Sequence, residues 1–289
     1  MTANRLKHIQ PRIAKNVTAR VVTLDIERIP GRARVKHRGL NIECEFWDLS
    51  GWKHTIGRRI HADDVLEWPR TICAAWKFYD SPDVSFAAEW NVGGYDAFMR
   101  ELWEVVDSSD ILVGHNASSF DLPLLVGGWA EMGLPAPSPY KVIDTLKIAR
   151  TSMRMESNTL DSLAKRLGVE SKSDKYDVRV AQAAVNGDKE AQAVLESYNR
   201  GDIVASEALF DRLRPYARNI PHLGMWTDDE LACPSCGHSI TATGKTVHAN
   251  VQRYEHLTCP NCGSHARGTT TLKNPTRTKI GRASCRERV

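Results

Sequence analysis

Asp25 and Glu27 are two acidic residues whose types and spacing could bind a divalent cation. They lie two apart in VVTLDIERIP, which alternates like a core strand, so both carboxylates leave the same face of that strand. Two acids side by side on a buried strand repel each other and are costly to desolvate, and a cation would relieve both costs. The alternative is an edge strand on which both acids are solvated.

Asp121 is a third candidate, because it follows an apolar strand predicted over residues 111–113. Sheets of the α/β class place their sites at the carboxyl ends of core strands. The alternative is an acid that only complements the dipole at the first turn of a helix.

Asp202 is a fourth candidate, on a long helix predicted over residues 188–213. Residues at helical spacing form the apolar stripe of this helix: Leu195, Tyr198, Asp202, Ala205 and Leu209. Asp202 thus stands where a leucine would be expected, and a buried acid needs a metal or an ionic partner. The alternative to a metal is a salt bridge to Arg200 or Arg179.

Four cysteines form a second constellation, CPSC at Cys233 and Cys236 and CPNC at Cys259 and Cys262. Two CxxC pairs that are each followed by glycine and flank polar, β-like sequence are typical of a zinc ribbon. Four thiolates close the coordination, so one Zn²⁺ is expected to stabilise the fold without doing chemistry. Four histidines nearby could replace a cysteine but are not needed: His238, His248, His256 and His265.

The region around these cysteines also carries cationic and aromatic residues, which could bind nucleic acid through charge and stacking or form a merely solvated surface. They are Lys245, Arg253, Tyr254, His256 and Arg267. Cys44 and Cys73 are expected to be isolated structural thiols.

The elements that must position these residues indicate an α/β fold, a mixed sheet flanked by helices, followed by a small C-terminal zinc ribbon. We predict strands over 21–29, 71–80, 83–90 and 111–113, helices over 95–106, 159–167 and 188–213, and a further helix with Ser118 or Ser119 as its N-cap. Residues 32–69 are predicted to be an irregular insertion with at most one short strand and no assignable functional residue.

The motifs DIE at Asp25 to Glu27, HNxxxFD ending at Asp121, and YNxxD from Tyr198 to Asp202 resemble those of the DEDDy 3′–5′ exonucleases of the RNase H-like (DnaQ-like) superfamily. The pattern is most similar to phage and bacterial proteins related to the exonuclease domain of family B DNA polymerases. The resemblance extends over most of residues 21–216.

This resemblance implies that Asp25, Glu27, Asp121 and Asp202 hold two Mg²⁺ or Mn²⁺ ions and that Tyr198 helps to position the attacking water. Two divalent ions roughly 4 Å apart can activate a nucleophile and stabilise the leaving oxygen in phosphodiester hydrolysis. Oxygen ligands favour Mg²⁺ or Mn²⁺ over Zn²⁺.

His115 and Asn116 are candidates for substrate binding, although they could instead close the turn before Asp121, an alternative that we slightly favour. Asp144 is expected to be a helix N-cap rather than a metal ligand.

The chain has 289 residues, 42% of them hydrophobic and 26% charged, which is typical of a globular protein. No window approaches the roughly 18 consecutive apolar residues of a membrane span, so we expect no membrane association. The net charge of +4 is too small to indicate a partner. The N-terminus lacks the apolar core of a secretory signal, and we expect a cytoplasmic protein of a bacterium or a phage-infected host.

We predict a flexible basic leader over residues 1–20, an exonuclease domain over 21–219, a linker over 220–230 and the ribbon over 231–272. Residues 280–289, IGRASCRERV, match the translation of a common sequencing-library adapter, and we hypothesise that they are an assembly artefact.

The sequence therefore predicts a metal-dependent 3′–5′ exonuclease that acts on single-stranded or frayed 3′ ends, of DNA in preference to RNA, alongside replication or repair proteins. The alternative, from a different class, is a non-catalytic nucleic-acid-binding or replication accessory protein that retains a nuclease fold.

Overall fold

The computed structural model describes residues 13–47, 60–169, 176–249 and 252–273. Its strands are β1 (Val21–Ile29), β2 (Gly31–His37), β3 (Leu40–Phe46), β4 (Val65–Glu67), β5 (Arg70–Phe78), β6 (Ser85–Ala88), β7 (Ile111–Gly114), β8 (Lys141–Asp144), β9 (Thr241–His248), β10 (Arg253–Thr258) and β11 (His265–Leu272). Its α-helices are α1 (Tyr95–Asp107), α2 (Asp121–Glu131), α3 (Thr145–Ser152), α4 (Leu160–Arg166), α5 (Val178–Val185) and α6 (Lys189–Leu213).

A mixed five-stranded sheet with the order β6-β5-β1-β7-β8 forms the centre of the molecule. Strands β1, β5 and β6 pair antiparallel, whereas β7 and β8 run parallel to β1. Strand β1 lies in the middle of this sheet, and both of its faces are covered: Val22, Leu24 and Ile26 are buried on one face, and Val21 and Thr23 on the other. The predicted mixed α/β fold is confirmed.

Helices cover both faces of this sheet. Helices α1 and α2 pack on the face of Val22, Leu24 and Ile26, through a core that includes Phe98 and Trp129. Helices α3, α4 and α6 cover the other face through a second core, to which α6 contributes Leu209, Phe210 and Leu213. Since Asp25 and Glu27 alternate with the apolar residues of β1, they point towards the α6 side.

The prediction of an irregular region over residues 32–69 is wrong for its described part, where β2, β3 and β4 form a separate sheet of order β3-β2-β4. Ala33 and Val35 of β2 are buried, while Arg32, Arg34 and Lys36, which alternate with them, are charged and exposed. Arg32 pairs with Glu43 at 2.7 Å and with Glu67 at 3.0 Å across the strands. The alternation was present in the sequence, but long charged side chains on the outer face concealed it. Residues 48–59 lie outside the described residues.

Other predicted elements are confirmed with small changes. Strands β5 and β6 form the expected antiparallel pair, and Asp188 caps the N-terminus of α6. Helix α5, capped by Asp177, was not predicted. Helix α2 begins at Asp121 with Phe120 as the N-cap residue, so the prediction of Ser118 or Ser119 as N-cap is wrong. No helix among the described residues is long and apolar enough to cross a membrane.

The cysteine-rich segment packs against the sheet domain at a defined place. The backbone N–H of Ala14 donates to the carbonyl of Cys236 at 2.8 Å, just before β1 begins. Arg214, at the end of α6, donates from Nη1 to the carbonyl of Ser235 at 3.1 Å. Its side chain is completely buried, and its guanidinium lies 4.4 Å from the centroid of the Phe210 ring. The loop of Cys233 and Cys236 is thus held by the segment that precedes β1 and by the residue that follows α6.

Candidate metal centre

Asp25 and Glu27 lie side by side on a central strand, because β1 runs between β5 and β7. The alternative of an edge strand with solvated acids is therefore wrong. Burial raises the pKa of both carboxyls well above their ordinary values, and the neighbouring acids Asp121 and Asp202 raise both further. Two buried negative charges this close together are unfavourable, so either bound protons or a bound cation must neutralise these carboxylates.

Asp202 approaches the two acids of β1 from helix α6. One carboxylate oxygen from each of Asp25, Glu27 and Asp202 forms a group in which all atoms lie within 4.8 Å of one another. Burial raises the pKa of Asp202 to about 6. The predicted position of Asp202 on the inner stripe of the helix is confirmed.

The salt-bridge alternative for Asp202 is not supported by the described ion pairs. Arg200 pairs with Glu196 at 2.8 Å, on the same helix, and Arg179 lies 3.9 Å from Asp177. Both arginines that could have neutralised Asp202 are thus engaged with other acids.

Asp121 reaches the same place from the first turn of α2. Its Oδ1 accepts a hydrogen bond from the backbone N–H of Ile26 at 3.3 Å, and the residue is 4% exposed. Strand β7 pairs with β1 only as far as Thr23, so the Ile26 amide is available to a side chain. Burial raises the pKa of Asp121 to about 7. Asp121 therefore lies beside the strand residue between Asp25 and Glu27, although it is not in the group of three.

Tyr198 and Asp202 lie one turn apart on α6, and the Tyr198 hydroxyl hydrogen bonds to the Asp202 carboxylate. Burial, followed by the charge of Asp202, raises the pKa of Tyr198. The phenol thus keeps its proton at neutral pH and acts as a hydrogen-bond donor rather than a base.

Asn199 is a functional candidate that the sequence reasoning missed. It is completely buried, and its Nδ2 donates to Oδ2 of Asp25 at 2.7 Å. This bond lowers the pKa of Asp25 against the larger effects that raise it. A signal was present, since Leu195, Asn199 and Asp202 also recur at helical spacing.

The turn before Asp121 is held by Asp144. The Asp144 carboxylate accepts hydrogen bonds from the backbone of Asn116 and Ser118 and from the Ser118 hydroxyl. It also accepts from Leu146 N and Lys147 N, which makes it the N-cap of α3 as predicted. Because the backbone N–H and the hydroxyl of Ser118 both donate to Asp144, this serine does not cap α2.

His115 and Asn116 are both engaged within the protein. The ring nitrogens of His115 lie 2.9 Å from Thr145 Oγ1 and 2.9 Å from the carbonyl oxygen of Asn158. Asn116 has a left-handed backbone with a φ of 70°, which closes the turn. These contacts favour the structural alternative for both residues, and substrate contact stays a prediction.

The residues of the acidic cluster fit divalent cations in charge and chemistry. All the ligands that the cluster offers are oxygen atoms, the donors that Mg²⁺ and Mn²⁺ prefer. Buried carboxylates with raised pKa values bind a cation by releasing protons, so the cation replaces the protons that otherwise neutralise the cluster.

The four cysteines form a second cluster that fits a metal ion. Their Sγ atoms lie within 4.8 Å of one another, with Cys233 to Cys262 at 3.7 Å and Cys236 to Cys259 at 3.5 Å. Tetrahedral coordination with Zn–S bonds of about 2.3 Å requires sulfur atoms about 3.8 Å apart. Gly237 and Gly263 follow the pairs in a left-handed backbone conformation, with φ of 75° and 73°. The cluster is compatible with a zinc ribbon.

A family model matches part of the chain. Residues 78–214 match a family model described as the RNase H superfamily. This span contains Asp121, Tyr198 and Asp202, whereas Asp25 and Glu27 precede it. Curated proteins give no match.

Among solved structures, the chain is similar to a family B DNA polymerase from the hyperthermophilic archaeon Pyrobaculum calidifontis, with a TM-score of 0.49 and 18% sequence identity. The similarity covers 68% of this chain and 25% of that chain, so it spans a quarter of the polymerase's length.

The central mixed sheet flanked by helices is consistent with an RNase H-like fold. This fold supports nuclease activity in general, and nucleases of this kind use divalent metals.

Proposed function

We propose that the protein is a metal-dependent 3′–5′ exonuclease of the DEDDy type, acting on single-stranded or frayed 3′ ends. The observation that carries the proposal is the convergence of Asp25, Glu27 and Asp202 within 4.8 Å, with Asp121 bonded to the strand between the first two. This convergence supports the proposal, because the three motifs that resemble those of DEDDy exonucleases are far apart in the chain.

The residues divide the work as follows. Asp25, Glu27, Asp121 and Asp202 would hold two Mg²⁺ or Mn²⁺ ions, which when bound supply an activated nucleophile and stabilise charge on the leaving oxygen. Tyr198 keeps its proton and donates it to the Asp202 carboxylate, so its oxygen can accept a hydrogen bond from a water and orient that water rather than remove a proton. Asn199 holds one oxygen of Asp25 and thereby sets the direction of the other. The four cysteines would hold one structural Zn²⁺.

The direct test is digestion of oligonucleotides labelled at one end, with Mg²⁺ or Mn²⁺ present. A 5′-labelled strand should give a ladder that shortens from the 3′ end, and Asp25→Ala with Asp202→Ala should abolish it. The control is Glu190→Ala, which removes an exposed carboxylate from the first turn of the same helix as Asp202. Matched DNA and RNA strands would establish the substrate.

A non-catalytic accessory protein would give a different result. Wild-type protein would then be as inactive as the double variant while still binding the oligonucleotide. Four acids kept together at a large cost in desolvation argue against this alternative, because a scaffold has no need of them.

A further inference from the structure

The cysteine-rich sheet, of order β11-β10-β9, has two different faces. Leu257 and Ala266 are opposite each other on β10 and β11 and pack on the buried cysteines. Side chains alternate along a strand, so the neighbours His256, His265 and Arg267 leave the opposite face. His265 and Arg267 are exposed there. One face is thus the small core of the ribbon, and the other carries aromatic and cationic side chains.

The aromatic and cationic side chains of that second face form a contiguous row. The Arg267 guanidinium lies 4.4 Å from the centroid of the Tyr254 ring. The rings of His256 and His265 are stacked, with centroids 5.0 Å apart and an angle of 26° between their planes. We call these four residues the stacking face. Because their planar groups are held against one another, little conformational entropy is lost when a ligand binds.

Charge is also distributed unevenly between the two faces. Val247 pairs with Tyr254, and the Thr243 hydroxyl lies 2.7 Å from His256 Nδ1, so β9 has this side in common on both sides of its register shift. The exposed Lys245 lies between these two residues and therefore beside the stacking face. Glu255 is the one acid in the described strands of the ribbon, and it lies on the other side: a Cβ added at Gly268 would meet its Cβ at 3.7 Å. The stacking face therefore presents positive charge with planar groups and no acid from these strands.

We propose that the stacking face binds single-stranded nucleic acid, with bases on its rings and phosphates beside Lys245 and Arg267. Single strands fit better than duplexes because the bases of a duplex are stacked on one another and offer no free ring surface. This proposal rests on the proposed function only in that the strand's 3′ end would lie in the acidic cluster.

The fold sets a minimum length for a strand that uses both places. Arg214 holds the ribbon at the end of α6, and it lies twelve residues beyond Asp202, about 18 Å along the helix axis. A stacked strand at about 3.4 Å per nucleotide covers that distance with roughly five nucleotides, and a more extended strand covers it with fewer. A dinucleotide can occupy the acidic cluster without reaching the ribbon.

Binding can be measured without cleavage, by fluorescence anisotropy of the zinc-loaded full-length protein in buffer free of Mg²⁺ and Mn²⁺. The probes are labelled oligothymidylate and oligouridylate of about 20 nucleotides, longer than the usual site size, and a duplex of the same length. Tyr254→Ala should weaken single-strand binding roughly tenfold, whereas Tyr254→Phe should bind like wild type, because stacking needs the ring and not the hydroxyl. Arg267→Ala should also lower the slope of log affinity against log salt by about 0.7, the value for one phosphate contact.

Arg253→Ala is the matched control, since it removes the same charge from β10 on the side opposite Tyr254. It should weaken binding less than Arg267→Ala does. Zinc content and melting temperature should match wild type in each variant, and a variant that fails this check is replaced by Lys245→Ala, which should likewise weaken binding.

The proposal is overturned if Arg253→Ala and Arg267→Ala weaken binding equally, if Tyr254→Ala and Arg267→Ala both bind like wild type, or if the duplex binds as tightly as the single strands.

An active enzyme allows one more test. Tyr254→Ala should raise KM for the long strand but not for a dinucleotide, which is too short to reach the ribbon. An equal rise for both lengths would also overturn the proposal. Because binding is measured without catalysis, an inactive wild type would refute the exonuclease and leave this binding result unaffected.

Discussion

Asp202→Asn should stabilise the protein at alkaline pH when Mg²⁺ and Mn²⁺ are absent. In the folded state burial raises the pKa of Asp202 from 3.8 to about 6. The folded state therefore holds a proton that the unfolded state has lost between about pH 4 and pH 6, so wild-type stability falls as the pH rises through this range. The difference between 3.8 and about 6 corresponds to about 3 kcal/mol of lost stability.

The amide introduced by Asp202→Asn cannot ionise, so the variant avoids this loss. At pH 5 the variant should already be more stable than wild type by about half of this amount, and at pH 8 by up to about 3 kcal/mol. For a protein of this size that is a rise in melting temperature of about 6 to 12 °C. Added Mg²⁺ or Mn²⁺ should stabilise wild type and have little effect on the variant, because binding to the folded state alone raises stability.

The assay is thermal or urea unfolding of zinc-loaded protein at several pH values, with Glu190→Gln as the control for removing a charge from α6. If Asp202→Asn destabilises the protein by the same amount at pH 5 and at pH 8, the carboxylate is not confined among other acids, and the reasoning is refuted.

Three further predictions follow from other contacts. Asn199→Leu should reduce turnover by roughly tenfold or more, because a hydrogen bond to a buried charge contributes about 1.5 to 3 kcal/mol; steady-state kinetics and Mn²⁺ titration should show weaker metal binding. Asp144→Ala should lower the free energy of unfolding by more than about 3 kcal/mol in urea titrations, since several buried donors lose their acceptor, whereas an unchanged midpoint would contradict its role. Cys262→Ser should lose zinc, measured by metal analysis, and should melt at a lower temperature because zinc binding contributes to folding.

The arrangement of the acids could largely be predicted from local rules. Period two on a strand places Asp25 and Glu27 on one face, and helical period places Asp202 on an inner stripe, so the identity of each face followed from the apolar neighbours. The contact between the acidic face of β1 and the inner stripe of α6 depends on the tertiary structure. In the sequence, only the order of the motifs indicated it.

The features that the sequence did not reveal depend on contacts between side chains that are far apart in the chain. From the sequence, Asn199 is only a polar residue on a helix. Its functional role follows from its hydrogen bond to the Asp25 carboxylate, which is far away in the chain. Serine is a residue type that often caps helices, but the hydroxyl and the backbone amide of Ser118 both donate to the Asp144 carboxylate. The sheet of β2, β3 and β4 was missed because cross-strand ion pairs such as Arg34 with Glu43, at 2.7 Å, stabilise strands that lack an apolar outer face.

The buried Arg214 makes the cysteine-rich segment more than a detachable appendage. A truncation after residue 219 would leave a guanidinium at the end of α6 without its carbonyl partner on Ser235 and would expose the amide of Ala14 just ahead of β1. These two contacts adjoin helix α6, which carries Asp202, and strand β1, which carries Asp25 and Glu27. Shortened versions made to isolate the catalytic half should therefore be difficult to purify in folded form, and heating the intact chain should produce one cooperative melting transition instead of two.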